Sequence, residues 1–271
     1  MIKPEDITII IPHLGATKEQ KNSLIECLSS LEETFIGPII VASNGKGILE
    51  LDTEGFGLLS ENRGQVKNVH ITDQGQCKAV NAAAATVNTP WIFVTNDDMV
   101  YPPGWFELLV QHMPGTKLVE FDDPNILCIS PQLVEPRPGA PTFITEFCGG
   151  AGGDFNKQKF LDFVGKHPIG YSLRTGFNLP FLIKKELWDL IGGYDINYDP
   201  WGSNSDSDLE YKIRLAGIQP YQNTNSLVYH FSQTSGTFEP KNQSHWQKNW
   251  DYFISKWGFS RTDDGIWTAD F

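Results

Sequence analysis

Positive charge is in short supply in this chain. Its 271 residues carry 21 Lys and Arg against 33 Asp and Glu, a formal net charge of -12. That balance excludes non-specific binding to nucleic acid or to an anionic membrane surface. Cysteine is scarce too: Cys27, Cys77, Cys128 and Cys148 are widely spaced. With no C-x-x-C pair among them, zinc-ribbon and dithiol redox chemistry drop out. Cys27 and Cys128 lie in apolar runs, the usual setting of buried, reduced thiols. No stretch approaches the roughly 20 apolar residues of a membrane span. The opening Met-Ile-Lys-Pro-Glu-Asp lacks the basic-then-apolar layout of a signal peptide. A soluble protein of the reducing cytoplasm is the expectation.

What is present is core material: 40% of residues are hydrophobic and 12% aromatic, which makes a globular chain and not a disordered one. There is no internal repeat, no low-complexity tract and no composition break that would split two domains. Ile7-Thr8-Ile9-Ile10-Ile11, closed by Pro12, is a continuous β-branched run, as a strand buried on both faces requires. Leu24, Cys27, Leu28 and Leu31 follow at helical spacing. Pro38 to Ala42 reads as a second strand ending at the turn dipeptide Asn44-Gly45, and Val69 to Thr72 as a third. Residues 46 to 68 form a Gly-rich connection without a clear assignment.

Ala79, Val80, Ala83, Ala84 and Val87 mark a helix after Gly75, and the strand Trp91 to Thr95 follows. Pro102-Pro103 then opens a helix through Trp105, Leu108 and Leu109. This alternation predicts an α/β fold with a mostly parallel central sheet and helices on both faces. The second half is less regular. Residues 148 to 153 are Gly-rich with no following Lys-Ser/Thr, so they are not a P-loop; a mobile lid and a plain connection both fit. Phe177 to Ile183 reads as an edge or bulged strand because of Pro180. Trp246, Trp250, Phe253 and Trp257 recur at helical spacing, more as a core stripe than as a binding platform.

Three stretches carry candidate chemistry. Asn96-Asp97-Asp98-Met99 follows the buried strand directly. In open α/β sheets the ligand crevice lies at the carboxyl ends of the strands. Carboxylates there suit a hard divalent cation and, through it, a phosphate-bearing substrate; a plain solvated turn has the same appearance. In the second stretch, Ser203 to Glu210, Ser207 and Glu210 form a capping-box pattern. On that reading Asp206 lies just outside a helix N-terminus, where the dipole keeps it ionised. An ionised carboxylate near a metal site is a candidate general base; Asp208 is a structural charge of the first turn. The third is Leu227-Val228-Tyr229-His230. A histidine after an apolar strand is commonly a satisfied side chain, yet it can also complete an oxygen-rich site for Mn2+. His13, just past the first strand, falls on the same rim.

In order, these pieces resemble the inverting nucleotide-sugar glycosyltransferases of the GT-A fold, glycosyltransferase family 2 above all. The resemblance runs from Ile7 to about Trp257. The first strand ends at Pro12; Ala42-Ser43-Asn44-Gly45 stands at the nucleoside turn; Gln74 to Asn81 is similar to the glycine-to-asparagine helix whose basic residue faces the nucleotide. The D-x-D element falls on Asn96-Asp97-Asp98. Gly192-Gly193-Tyr194-Asp195 and Ser205-Asp206-Ser207-Asp208-Leu209 resemble the Gly-Gly-Phe-Asp and Glu-Asp-x-Asp-Leu pair, and His230 matches the histidine that closes the metal site. Three departures stand out: Asn44 where an Asp pair is usual, Asn96 at the first D-x-D position, and Ser205 in place of Glu.

The resemblance implies one GT-A-like domain over residues 1–271. Residues 1–130 would bind the nucleotide-sugar, 131–240 would hold the acceptor and catalytic half, and 241–271 a C-terminal helix packed on the core. It implies Asp98 and His230 as ligands of Mn2+ or Mg2+. Pro12, His13, Asn44, Lys78, Asn96 and Asp97 would lie along the nucleoside-diphosphate sugar, and Asp206 would act as catalytic base. Trp201 is placed to stack on a glycan or other hydroxyl acceptor, and a core tryptophan reads the same way. The activity implied is metal-dependent, inverting hexosyl transfer in glycan biosynthesis. Two other classes use similar parts: a sugar nucleotidyltransferase or metal-dependent phosphohydrolase, and a non-catalytic carbohydrate-binding protein of the same fold. The Gly-rich phosphate signature of a sugar nucleotidyltransferase is absent after Ile11.

Overall fold

The computed structural model describes residues 2–45, 66–113, 126–139, 142–151, 153–170, 173–232 and 240–258. Most of the 46–68 connection lies outside that set; its last three residues begin a strand. Ten strands form one sheet: β1 (Ile7–His13), β2 (Ile39–Asn44), β3 (Val66–Ile71), β4 (Trp91–Val94), β5 (Met99–Val100), β6 (Cys128–Glu135), β7 (Ile144–Thr145), β8 (Leu173–Thr175), β9 (Phe181–Lys184) and β10 (Tyr221–His230). The spatial order is β3-β2-β1-β4-β9-β6-β10-β5, with β7 beside β6 and β8 beside β10. Pairing among β1 to β4 is parallel, as is β6 with β10; β9 runs antiparallel to both β4 and β6. The mixed α/β domain with a largely parallel sheet is therefore as the residue pattern predicts.

The described α-helices are α1 (Lys18–Thr34), α2 (Gln76–Ala84), α3 (Trp105–Val110), α4 (Lys157–Lys166), α5 (Lys185–Ile191), α6 (Ser205–Leu215) and α7 (Gln243–Trp257). Side chains alternate across a strand, so β1 sends Ile7, Ile9 and Ile11 to one core and Ile10 to the other. The first core is closed by Leu24, Cys27, Leu28 and Leu31 of α1 and by Trp105, Phe106 and Leu109 of α3. The second is closed by α2, α5, α6 and Phe253 of α7. Burial on both faces is why β1 reads as an unbroken apolar run.

Trp105, 1% exposed, sits among Phe93, Tyr101, Phe35 and Phe106, with ring centroids 4.6 to 6.1 Å away. Its indole N–H donates to Thr34 Oγ1 at 3.2 Å. Trp105→Ala is expected to cost about 3–5 kcal/mol, read as a fall in the urea midpoint with an unchanged slope. A loss under 1 kcal/mol would mean that the cluster repacks freely.

Four local expectations need correction. Helix α3 begins at Trp105, not at Pro102, because Gly104 adopts φ +80 and turns the chain there. Strand β9 begins after Pro180 and is interior, not an edge; Pro180 precedes the ladder and so removes no donor from it. Helix α6 begins at Ser205, with Asn204 in the left-handed region (φ 65) as its N-cap. Asn tolerates that conformation, so the turn falls before Ser207 and the Ser207–Glu210 capping box does not form. Glu210 instead pairs with Arg214 at 2.9 Å. In α7, finally, only Phe253 of the aromatic stripe is buried, while Trp246 and Trp250 are half-buried and stack on each other at 5.7 Å.

Candidate active site

Strand order explains the site. Tyr229 of β10 pairs in parallel with Val134 of β6, and His230 pairs antiparallel with Met99 of β5. His230 thus has Glu135 on one side and Asp98 on the other. Its Nδ1 lies 2.7 Å from Glu135 Oε1 and its Nε2 3.4 Å from Asp98 Oδ1. The Asp98 carbonyl accepts from Phe231 N at 3.0 Å, which fixes the acidic turn to the end of β10. Burial disfavours the imidazolium, but the Asp98 and Glu135 carboxylates outweigh it and raise the His230 pKa to about 10.

These residues fit a divalent cation by their chemistry. A carboxylate and an imidazole nitrogen face each other, and a second carboxylate holds the far ring nitrogen, the orienting arrangement found behind metal-bound histidines. Among the described residues no group of three or more His, Cys, Asp and Glu side chains is set to hold a metal. Asp98 and His230 would be the protein's ligands, with Glu135 orienting His230. Glu135 had no motif to mark it. Its only signal was its place at the end of the apolar run from Cys128, a position where strand-end carboxylates matter.

Asp97 turns the other way. Its Oδ2 lies 2.5 Å from His13 Nδ1 at the end of β1, and His13 is 2% exposed. Burial raises the Asp97 pKa, and the His13 hydrogen bond opposes that rise. Pro12 is buried in β1 opposite Ala42. Asn96 is half-buried, and its carbonyl accepts from Cys27 Sγ at 3.7 Å. Asn44 has both ends of its amide committed within the protein. Its Nδ2 donates to the His13 carbonyl at 3.1 Å, and its Oδ1 accepts from Gly75 N at 3.0 Å. Lys78 Nζ pairs with Asp73 at 3.2 Å.

The N-terminus of α2, which faces the same rim, is occupied by the chain itself. The Asp199 carboxylate accepts from Cys77 N at 2.9 Å and from Lys78 N at 3.0 Å. A Cβ on Gly75 would stand 2.4 Å from Asp199 Oδ2, so this position excludes any side chain. Sequence reading missed Asp199; its place before Pro200 was the only available signal.

Asp206 sits in the first turn of α6, not outside the helix as its sequence setting suggests. Its Oδ1 accepts from Tyr194 OH at 2.7 Å. The helix dipole favours its charge, yet burial is the larger effect, and with the Tyr194 bond in opposition the pKa still rises to about 6. Tyr194 is itself held by Asn81 of α2, whose Oδ1 accepts from Tyr194 N at 3.0 Å and whose Nδ2 donates to Tyr194 O at 2.8 Å. Gly193 allows that approach: it has φ +60, and a Cβ there would lie 2.6 Å from Asn81 Oδ1. The helix with Asn81, the Gly-Gly-Tyr turn and Asp206 thus form one connected brace.

Asp208, 0% exposed, meets Lys256 Nζ at 2.7 Å and Trp257 Nε1 at 2.9 Å. It is the structural charge expected, and it ties α7 to α6. Trp201 is half-buried on the preceding loop and makes no ring contact or hydrogen bond with the described residues.

One mixed, largely parallel sheet between two helical layers is the GT-A architecture. Residues 8–119 match the model of glycosyl transferase family 2, and the chain has the GT-A fold. Two solved structures share that fold. A crystal structure of GalNAc-T7 with UDP, GalNAc and Mn2+ superposes with TM-score 0.59 at 16% identity, over 83% of this chain and 43% of that one. The mannosyltransferase PcManGT from Pyrobaculum calidifontis, in complex with GDP-Man and Mn2+, gives TM-score 0.57 at 14% identity, over 94% of this chain and 66% of that one. This chain thus spans under half of the first protein and just under two thirds of the second. No curated protein matches it. Among the described residues no helix is long and apolar enough to cross a membrane.

Proposed function

We propose that the chain is a metal-dependent, inverting glycosyltransferase that moves a sugar from a nucleoside-diphosphate sugar to an acceptor hydroxyl, in glycan biosynthesis. The observation that carries this reading is the meeting of Asp98, His230 and Glu135 at one end of the sheet; Asp206, held by Tyr194 at the start of α6, supports it. Two proteins of the same fold with nucleotide or nucleotide-sugar and Mn2+ support it. Asp98 and His230 would hold Mn2+ or Mg2+, which when bound offsets charge on the departing diphosphate as a Lewis acid. Asn96, Asp97, His13, Pro12, Asn44 and Lys78 would line the donor.

Asp206 would take the proton of the acceptor hydroxyl, whose oxygen then attacks the anomeric carbon from the face opposite the leaving group. A pKa of about 6 leaves the carboxylate ionised at neutral pH while keeping it a better base than a free Asp. Trp201 is free to stack on the acceptor sugar. A thermal-shift screen of UDP, GDP, dTDP and CMP, each with and without Mn2+, is the direct test. One nucleotide is expected to raise the melting temperature by several degrees only when metal is present. No metal-dependent shift with any of the four would count against the reading, and release of pyrophosphate instead of nucleoside diphosphate would replace it.

A further inference from the structure

Arg174 is a cation without an anion. In a chain with twelve more acids than bases, its guanidinium meets only neutral carbonyls. Nε donates to Gln222 Oε1 at 2.6 Å; Nη2 donates to Gln132 Oε1 and to the Thr142 carbonyl, both at 2.8 Å. It forms no ion pair with the described residues, and Nη1 has no hydrogen-bond partner among them. Burial lowers its pKa, with no carboxylate opposing that shift.

The amides around it are themselves fixed. Gln222 Nε2 donates to the Pro131 carbonyl at 3.1 Å and to Asn178 Oδ1 at 2.5 Å. Ser130 Oγ donates to the Asn178 carbonyl at 2.8 Å. Gln132 Nε2 donates to the Leu133 carbonyl at 3.2 Å and also to that of Thr142. The guanidinium is therefore aimed by a rigid frame of β6, β8 and β10. The frame shares two strands with the candidate active site: Gln132 lies three residues before Glu135 on β6, and Gln222 eight before His230 on β10. Thr142 belongs to the loop in which a Cβ on Gly139 would come within 2.7 Å of Glu135 Oε2. Asn178 leads through Pro180 into Phe181, which pairs with Val94 just before the acidic turn.

We infer that Arg174 is the anchor of an oxyanion subsite for an acidic group, a carboxylate or a phosphate, on the acceptor. This rests on the glycosyltransferase reading above. The two N–H groups left over on Nη1 can each donate to an oxyanion's oxygen, and the neutral carbonyls around the guanidinium leave its charge uncompensated. An acidic acceptor approaching a chain of charge -12 needs such a local cation.

The test is calorimetric titration of the full chain with methyl β-D-glucuronide, glucose 6-phosphate and methyl β-D-glucoside. At least one acidic sugar is expected to bind about tenfold or more tighter than the glucoside, a gap typical of one charge-assisted pair. Which of the two binds separates carboxylate from phosphate. Arg174→Gln is expected to erase the preference while leaving the Mn2+-dependent nucleotide shift intact. Where Arg174→Gln does not fold, Arg174→Lys carries the test, with the preference cut severalfold because a three-donor ammonium cannot keep the three fixed hydrogen bonds and still donate to the ligand. The inference is overturned if wild type shows no preference, or if the preference survives in the folded variant. Absence of the nucleotide shift in wild type would instead sink the glycosyltransferase reading, whatever the sugars do.

Discussion

Asp98→Ala is expected to abolish Mn2+-dependent stabilisation by nucleotide and to lower sugar transfer by at least about 100-fold. The carboxylate is 4% exposed and faces His230 Nε2. Without it, a cation on this rim would have one protein ligand, because Asp97 is committed to His13 and Asn96 offers only a neutral amide. Glu135→Gln separates ligation from orientation. It keeps the side-chain shape beside His230 Nδ1 and removes the charge, so metal affinity is expected to fall about 10- to 100-fold. The ranking is the check: titrating Mn2+ against each variant at fixed nucleotide must place Glu135→Gln between wild type and Asp98→Ala. Wild-type affinity in Asp98→Ala would remove the metal from this edge altogether.

The parallel half of the fold was legible because burial on both faces writes itself into β1, β2 and β4 as apolar runs, and into α1 and α2 as spaced small or aliphatic residues. The interior position of β9 was not legible. A four-residue strand after a proline looks like an edge, and only its pairing with both β4 and β6 shows otherwise. The candidate site divides the same way. Residues that follow strong strands, such as Asp98 and His230, announce their place on the rim. Glu135, Asp199 and Arg174 did not, since each gains meaning from a partner 95, 122 or 48 positions away in the chain. The start of α6 was misplaced for a local reason. Ser207 and Glu210 satisfy the capping pattern, but the left-handed turn at Asn204 comes first and takes the role.

Asp206→Asn is expected to lower kcat about 100- to 10,000-fold, the range of a lost general base, with the nucleotide shift unchanged. The same variant is expected to melt higher than wild type at pH 7.5, and that second result distinguishes a buried base from a structural charge. Burial raises the folded-state pKa to about 6 from the usual 3.8. The stability that the neutral form supplies is complete below about pH 4 and is lost as pH rises through 6. At pH 7.5 the wild-type protein therefore carries a buried charge that Asn does not. The gain should reach a few degrees at pH 7.5 and shrink toward pH 4, where both side chains are neutral. In wild type, kcat/KM should rise with pH along a limb near 6 and then level off. Tyr194→Phe removes the one hydrogen bond that lowers this pKa, so its limb should move to higher pH while the plateau stays close to wild type. A limb that does not move would assign Tyr194 to holding the loop alone. An Asp206→Asn protein that melts lower at pH 7.5 would show the carboxylate to be a helix cap, with its charge serving the fold and not the reaction.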